Sequence, residues 1–283
     1  FLDKLRNIFL APFTDYRGAR SEAVLHHDDP HVKRLLRIQG MKECIEDGTF
    51  FDKVWVRNVT YKMKKDEIAK KNKWLRAIGD LGVHMSLAGF RLTEMLKRLM
   101  FTTPMKLGNA TAKFVKSPSQ DLLDEIFDDL INGDQMSYYF FSDDSSLAFL
   151  VFNGVRRKFN VDIKNCDGSH GNGLFEALRA VTPDCLKEDL EALIDQLASP
   201  FTVQSPENRK DKITFQATRP RLFSGSTLTT FVNNVACLLI FLSLHSMDLS
   251  VKDGASENEI EEEFEKRIMA AAAKAGYGVT VET

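Results

Sequence analysis

Two adjacent aspartates, Asp143 and Asp144, stand between the apolar runs MSYYFF and SLAFLVF. Aromatic and branched runs of this length read as strands, and the short polar stretch between them reads as the turn of a hairpin. This feature constrains the fold more than any other. Two like charges at the tip of an otherwise apolar hairpin repel one another unless a cation or a lysine neutralises them, so other parts of the chain must converge on the tip. Adjacent aspartates recur at Asp28-Asp29 and Asp128-Asp129. The first pair lies in HHDDPH, which reads as a solvated turn, and the second lies in an amphipathic helix, where charge on the wet face is the default.

The rest of the chain alternates strand-like and helix-like stretches without a repeat or a low-complexity linker. VTYKMKKDEIAKKNKWLRAI, from Val59 to Ile78, reads as two extended arms around a KKN turn and is dense in lysine. SLAGFRLTEMLKRLMF sets Leu87, Phe90, Met95, Leu96 and Leu99 near one helical face, with Ser86 as N-cap. SQDLLDEIFDDLIN predicts a helix stopped by Gly133, and RRKFNVDI predicts a strand after Gly154. Helices follow at GLFEALRAV and LKEDLEALIDQLA, then strands at FTVQ and KITFQAT. An acidic helix, ENEIEEEFEKRIMAAAAKAG, closes at Gly276 before a last strand, YGVTVET. The fold class expected from this order is α+β.

Composition narrows the function classes. A net charge of -2 supplies no global basic field, so any nucleic-acid contact must come from a local patch. Cys44, Cys166, Cys185 and Cys237 lie far apart with no C-x-x-C spacing, which argues against a zinc site or a secreted disulfide framework and for an intracellular setting. The most apolar run, FVNNVACLLIFLSL, contains two asparagines and is short for a bilayer, so it reads as a buried core helix and no transmembrane segment is expected. The start at Phe1 and the end inside the strand-like VTVET read as a fragment.

NVDIKNCDGSHGNGLF supplies partners for the aspartate tip. Asp162 ends an apolar strand, and Asp167 follows in the turn before a helix. A strand-end carboxylate beside a hairpin-tip carboxylate is what two divalent ions about 4 Å apart require for phosphoryl transfer, although a strand terminator and a helix cap would look the same. A third stretch, SGSTLTTFVNN, leads from Ser224-Gly225 into a helix whose Thr229 and Asn233 share one face. Glycine there allows close backbone approach to a ligand, and the hydroxyl and amide groups can read a ribose.

Together these stretches resemble the viral RNA-dependent RNA polymerases, in particular the tombus-, noda- and permutotetra-like group of positive-strand RNA viruses. The resemblance runs from about Lys62 to the end. DIKNCDGSHGNGLF is similar to motif A, SGSTLTTFVNN to motif B, and FSDDSS to motif C, with Ser142 where most relatives have glycine. KDEIAKKNKWLRAIGDLG is similar to the basic fingers motif F, with Lys71-Asn72 replacing the usual Pro-Gly, and KAGYGVTVE is a weaker match to motif D. The tip at Asp143 precedes Asp162 and Ser224, and no adjacent aspartate pair follows Ser224, so the order resembles that of the permuted palms, C-A-B.

The resemblance implies a right-hand polymerase palm, an antiparallel sheet with helices, plus part of the fingers and no thumb. Residues 1–60 would be an N-terminal or fingers segment, 61–135 fingers with motif F, and 136–283 palm with motifs C, A, B and D in that order. Asp143 and Asp162 would bind two Mg²⁺, or Mn²⁺ in its place, with Asp144 as a supporting ligand. Lys70, Lys73 and Arg76 would lie over the triphosphate, and Asp167 with Asn233 would recognise the 2′-hydroxyl. Ser224, Gly225 and Thr229 would shape the template and nucleotide floor, and Lys274 would be the acid that protonates pyrophosphate. The partners implied are RNA template and product, ribonucleoside triphosphates and other viral replication components. The setting implied is the host cytoplasm, including membrane-associated replication complexes. A metal-dependent phosphotransferase or nuclease, and a catalytically silent polymerase-like protein, are the alternatives from other classes.

Overall fold

The structure is a computed structural model that describes residues 59–63, 77–80, 104–116, 118–141, 144–152, 154–182, 184–205, 207–208, 210–226, 228–251 and 254–283. Its strands, in chain order, are β1 (Val59–Met63), β2 (Ala77–Asp80), β3 (Met105–Leu107), β4 (Ala110–Val115), β5 (Ser137–Phe141), β6 (Ser145–Phe152), β7 (Val155–Ile163), β8 (Phe201–Gln204), β9 (Lys212–Phe215) and β10 (Val279–Glu282). Its helices are α1 (Gln120–Asn132), α2 (Cys166–Ser169), α3 (Asn172–Val181), α4 (Asp184–Ala198), α5 (Thr229–Leu244) and α6 (Glu257–Ala275). The expected α+β class is the observed one. The predicted helix with Leu87, Phe90 and Met95 lies outside the described residues, as do the lysine-rich turn between β1 and β2 and the HHDDPH segment.

Two compact units divide the chain, and each is built from two segments: Phe1–Leu96 with His170–Thr229, and Lys97–Ser169 with Thr230–Thr283. In the first unit the sheet order is β2-β1-β8-β9. The arms expected around the lysine-rich turn pair antiparallel, Met63 against Ala77, and β1 runs parallel to β8. Helices α3 and α4 are amphipathic. They bury Leu174, Phe175, Leu178, Leu186, Leu190 and Leu193 among others, and Arg179 joins them by ion pairs to Glu176 on its own helix and Glu191 on α4.

The second unit holds a six-stranded sheet, β10-β7-β6-β5-β4-β3, antiparallel except where β4 runs beside β5. Alternation along β5 explains its three layers. Tyr138 and Phe140 are fully buried on one face, where both rings pack on Phe241 of α5, while Tyr139 on the opposite face packs with Phe149, Val115 and Ile126 of α1. On the α5 side Phe264 of α6 stacks on Phe152, and Arg157 forks to Glu257 and Glu261. The run Phe231–Leu244 is buried throughout, its two asparagines included, as a core helix should be. Among the described residues no helix is long and apolar enough to cross a membrane.

Local signals set the helix ends. Ser119 caps α1, Ser256 and Glu259 form a capping box on α6, and Gly276 ends α6 at φ 90°, a left-handed conformation that glycine adopts without a Cβ clash. One reading needs correction. Asp128 is exposed, but Asp129 is not on the wet face: its carboxylate accepts from Ser137 (2.5 Å), Tyr139 (2.7 Å) and Arg156 (2.8 Å). Helical periodicity alone could not reveal this, since the donors come from β5 and β7.

Candidate active site

The aspartate hairpin forms as β5 and β6, in register from Ser137 opposite Phe149 to Phe141 opposite Ser145. Apolar side chains drive it, because both strands are buried on both faces for most of their length. Ser142 and Asp143 lie outside the described residues. The ladder continues to β7, whose last pairs set Asp162 opposite Ser145, and Ile163 N–H donates to the Asp144 carbonyl at 3.0 Å. On the other side of β7, Thr280 of β10 pairs with Asp162. Asp162 therefore sits at the centre of a three-strand edge, beside the aspartate tip.

Ser145 bridges the carboxylates. Its hydroxyl donates to Asp162 Oδ1 at 3.0 Å and lies 3.5 Å from Asp144 Oδ1, so these two oxygens are at most about 6.5 Å apart. Ions 3.5–4 Å apart, each with oxygen ligands near 2.1 Å, reach across such a span. Asp162 is exposed and Asp144 half-buried, and Asp162 lines a cleft of about 670 Å³ together with Phe141, Ser145, Asn160 and Thr280 among others.

Behind the carboxylates lies a buried layer. Burial chiefly, and then the negative charge of Asp144 and Asp162, pushes the Cys237 thiol up to about 12, against a lowering hydrogen bond with Ser146. Burial likewise raises the Cys166 thiol, with Cys237, Asp144, Asp167 and Asp162 adding to it. Neither thiol is in a disulfide, and both are buried. Among the described residues no group of three His, Cys, Asp or Glu is placed to hold a metal ion. Asp144 and Asp162 supply only oxygens, and an oxygen set suits a hard cation such as Mg²⁺ or Mn²⁺.

The segment after Asp162 turns sharply. Asn165 has φ 50°, the one left-handed non-glycine residue among those described, and Ser169 N–H donates to its carbonyl. Asparagine tolerates this conformation better than most residues. A Cβ on Gly168 would meet the Asn165 amide at 2.7 Å, so the small residue lets the turn close. The turn delivers Asp167, whose Oδ1 accepts from Asn233 Nδ2 at 2.8 Å. Asn233 is 1% exposed on α5.

The second unit thus brings together Asp144, Asp162, Asp167 and Asn233. It does not bring Lys274 to them: that ammonium donates to Ser246 Oγ at 3.0 Å, past the C-terminus of α5, and about 16 Å of helix separates Asn233 from Leu244. Ser224, Gly225 and Thr229 belong to the first unit. There the Ser224 carbonyl accepts from Gly79 N–H at 2.8 Å, and Gly225, at φ 100°, passes so close to β2 that a Cβ would meet the Gly79 carbonyl at 2.5 Å. The Thr229 hydroxyl donates to the Phe223 carbonyl at 3.1 Å, closing the same loop. Lys70, Lys73 and Arg76 lie outside the described residues. His245 hydrogen-bonds Tyr138 at 2.7 Å.

Two residues of this site escaped sequence reasoning. Ser145 and Asn165 were within reach, as a hydroxyl directly after the aspartates and an asparagine ahead of a Cys-Asp-Gly turn.

No protein-family model matches this sequence, and no curated protein does. A solved structure does. A chain from the X-ray structure of the birnavirus VP1-VP3 complex aligns with a TM-score of 0.47 and 9% identity, over 93% of this chain and 32% of the solved one. This chain therefore spans about a third of the length of that one.

Proposed function

We propose that this chain is the palm and part of the fingers of an RNA-dependent RNA polymerase, with its palm motifs in the order C-A-B. One observation carries the reading: the register that pairs Ser145 with Asp162 sets a motif C-like tip against a motif A-like strand end, although the tip comes first in the chain. Catalysis of this kind depends on where carboxylates converge, not on the order in which the chain supplies them.

Asp143 and Asp162, with Asp144 in support, would hold Mg²⁺ or Mn²⁺. When bound, the ions would acidify the primer 3′-hydroxyl and neutralise the departing pyrophosphate. Ser145 keeps Asp162 aimed along the strand edge. Asp167 and Asn233, already hydrogen-bonded to each other, would share a 2′-hydroxyl, the group that distinguishes ribonucleotides. Lys70, Lys73 and Arg76 would cover the triphosphate, while Ser224, Gly225 and Thr229 would shape the template floor. Lys274 is left without a part, since its ammonium is engaged at the far end of α5. The substrates are an RNA template and ribonucleoside triphosphates, the other partners are viral replication components, and the setting is the host cytoplasm.

The test is primer extension by the full chain on a labelled RNA primer–template with Mg²⁺. Template-directed extension by wild type that vanishes in Asp162→Asn supports the proposal. Cleavage without extension points to a nuclease, and RNA binding with neither reaction points to a silent relative.

A further inference from the structure

We infer that the β8–β9 hairpin of the first unit is a platform for single-stranded RNA, with a base stacked on Phe215 and phosphates held by the lysines of its free edge. The choice of RNA as ligand rests on the polymerase reading above; the surface stands on its own. Strand register sets Phe201 opposite Phe215 and Val203 opposite Ile213, so these four side chains share one face of the two strands. Exposure there is inverted. Val203 is 43% exposed, Ile213 64% and Phe215 45%, while on the opposite face the buried side chain is a threonine, Thr202, hydrogen-bonded to Thr214 at 2.9 Å. Apolar residues left exposed side by side, unlike scattered ones, mark a binding surface.

Ring geometry and charge select the occupant. The Phe201 and Phe215 rings stack with centroids 5.0 Å apart and planes 18° apart, so Phe201 braces one face of Phe215 and the exposed area lies on the other. Strand β9 is the last of its sheet, and no further described strand covers that side. A braced ring with one open face accepts any base, since every base has a π-face. Between residues 207 and 221, Arg209, Lys210, Lys212, Arg219 and Arg221 stand against Glu207 and Asp211, an excess of three positive charges in a chain whose net charge is -2. No described carboxylate pairs with Lys210, Lys212, Arg219 or Arg221, whereas Arg156, Arg157, Arg179 and Arg267 each have an acidic partner. A protein partner would be served by the apolar face alone; unanswered cations in the same hairpin fit a polyanion. Lys212 by itself would read as a guard against edge-to-edge strand pairing, but that role accounts for neither the open ring nor the arginines that follow.

The test is anisotropy of a short fluorescent single-stranded RNA with the full chain, in EDTA to keep divalent ions from the carboxylates, over roughly 50 to 200 mM salt. Phe215→Ala and Phe215→Leu should each weaken binding at least about fivefold with the salt slope unchanged, and Phe215→Trp should restore it. Lys210→Gln combined with Lys212→Gln should make the slope of log affinity against log salt shallower by about 1.4, the share of two single-strand phosphate contacts, at an unchanged melting temperature. If wild type fails to bind, or if neither set of variants changes affinity or slope, the inference falls, and primer extension by the same preparations shows whether the polymerase reading stands without it. If light scattering finds wild type to be an oligomer that Phe215→Ala breaks while RNA affinity holds, the face is a protein interface and the inference falls. If extension is absent but the variants bind as expected, the platform stands and the polymerase reading falls.

Discussion

The second unit contains two pairs of adjacent aspartates, and they are treated in opposite ways. In the pair on α1, Asp129 is enclosed by protein donors: Ser137, Tyr139 and Arg156, whose guanidinium also lies over the Phe149 ring at 4.1 Å. Burial, reinforced by this carboxylate, raises the Tyr139 phenol above its ordinary value. Beside the tip that holds the other pair, Asp162 at the end of β7 receives one serine hydroxyl and, among the described residues, no Lys or Arg. A carboxylate whose charge is answered by a fixed arginine holds a helix to a sheet. One left facing a cleft with only a hydroxyl is ready for a cation that arrives from solution. The same side chain thus serves architecture in one place and, on our proposal, chemistry in the other.

The sharpest break of this comparison exchanges the losses. Asp162→Asn should reduce nucleotide addition by at least about 10³-fold, roughly 4 kcal/mol of transition-state stabilisation, while its melting temperature stays at or slightly above wild type because carboxylate repulsion is relieved. Primer extension and calorimetry on one preparation check both halves. Arg156→Ala should do the reverse. The Arg156 and Asp129 side chains are only 13% and 21% exposed, so removing the cation strands a carboxylate out of water and should cost about 3 kcal/mol of stability, read from urea unfolding.

Metal dependence sharpens the contrast further. Mg²⁺ at tenfold to a hundredfold above its dissociation constant should stabilise wild type by about 1.4 to 2.7 kcal/mol, and Arg156→Ala by the same increment, with no increment in Asp162→Asn. Equal stabilisation of all three would place the ion elsewhere. The smallest effect concerns sugar choice. Asn233→Ala leaves Asp167 without its amide, and the preference for ribo- over deoxyribonucleotides should narrow about tenfold, or 1.4 kcal/mol, in competitive incorporation.

Much of the fold was legible because its signals are local. Strands β5 and β6 follow from apolar runs, β7 from alternation, α1 from its helical spacing, α5 from an apolar run that takes in two asparagines, and the end of α6 from Gly276. The resemblance to polymerase motifs picked out Asp162, Asp167 and Asn233 one by one. Helical periodicity misjudged what Asp129 does, because the arginine that answers it comes from 27 residues away on a strand.

The sequence by itself determined which segments are strands and helices and which residue types were available for chemistry, since propensity, periodicity and capping act over a few residues. The tertiary structure alone decided which charges meet. Strand register put Ser145 between Asp144 and Asp162, a left-handed Asn165 turned Asp167 back towards Asn233, and a length of helix carried Lys274 away. Hydrogen bonds and ion pairs act over about 3 Å between residues far apart in the chain, and only the packed sheet sets those distances.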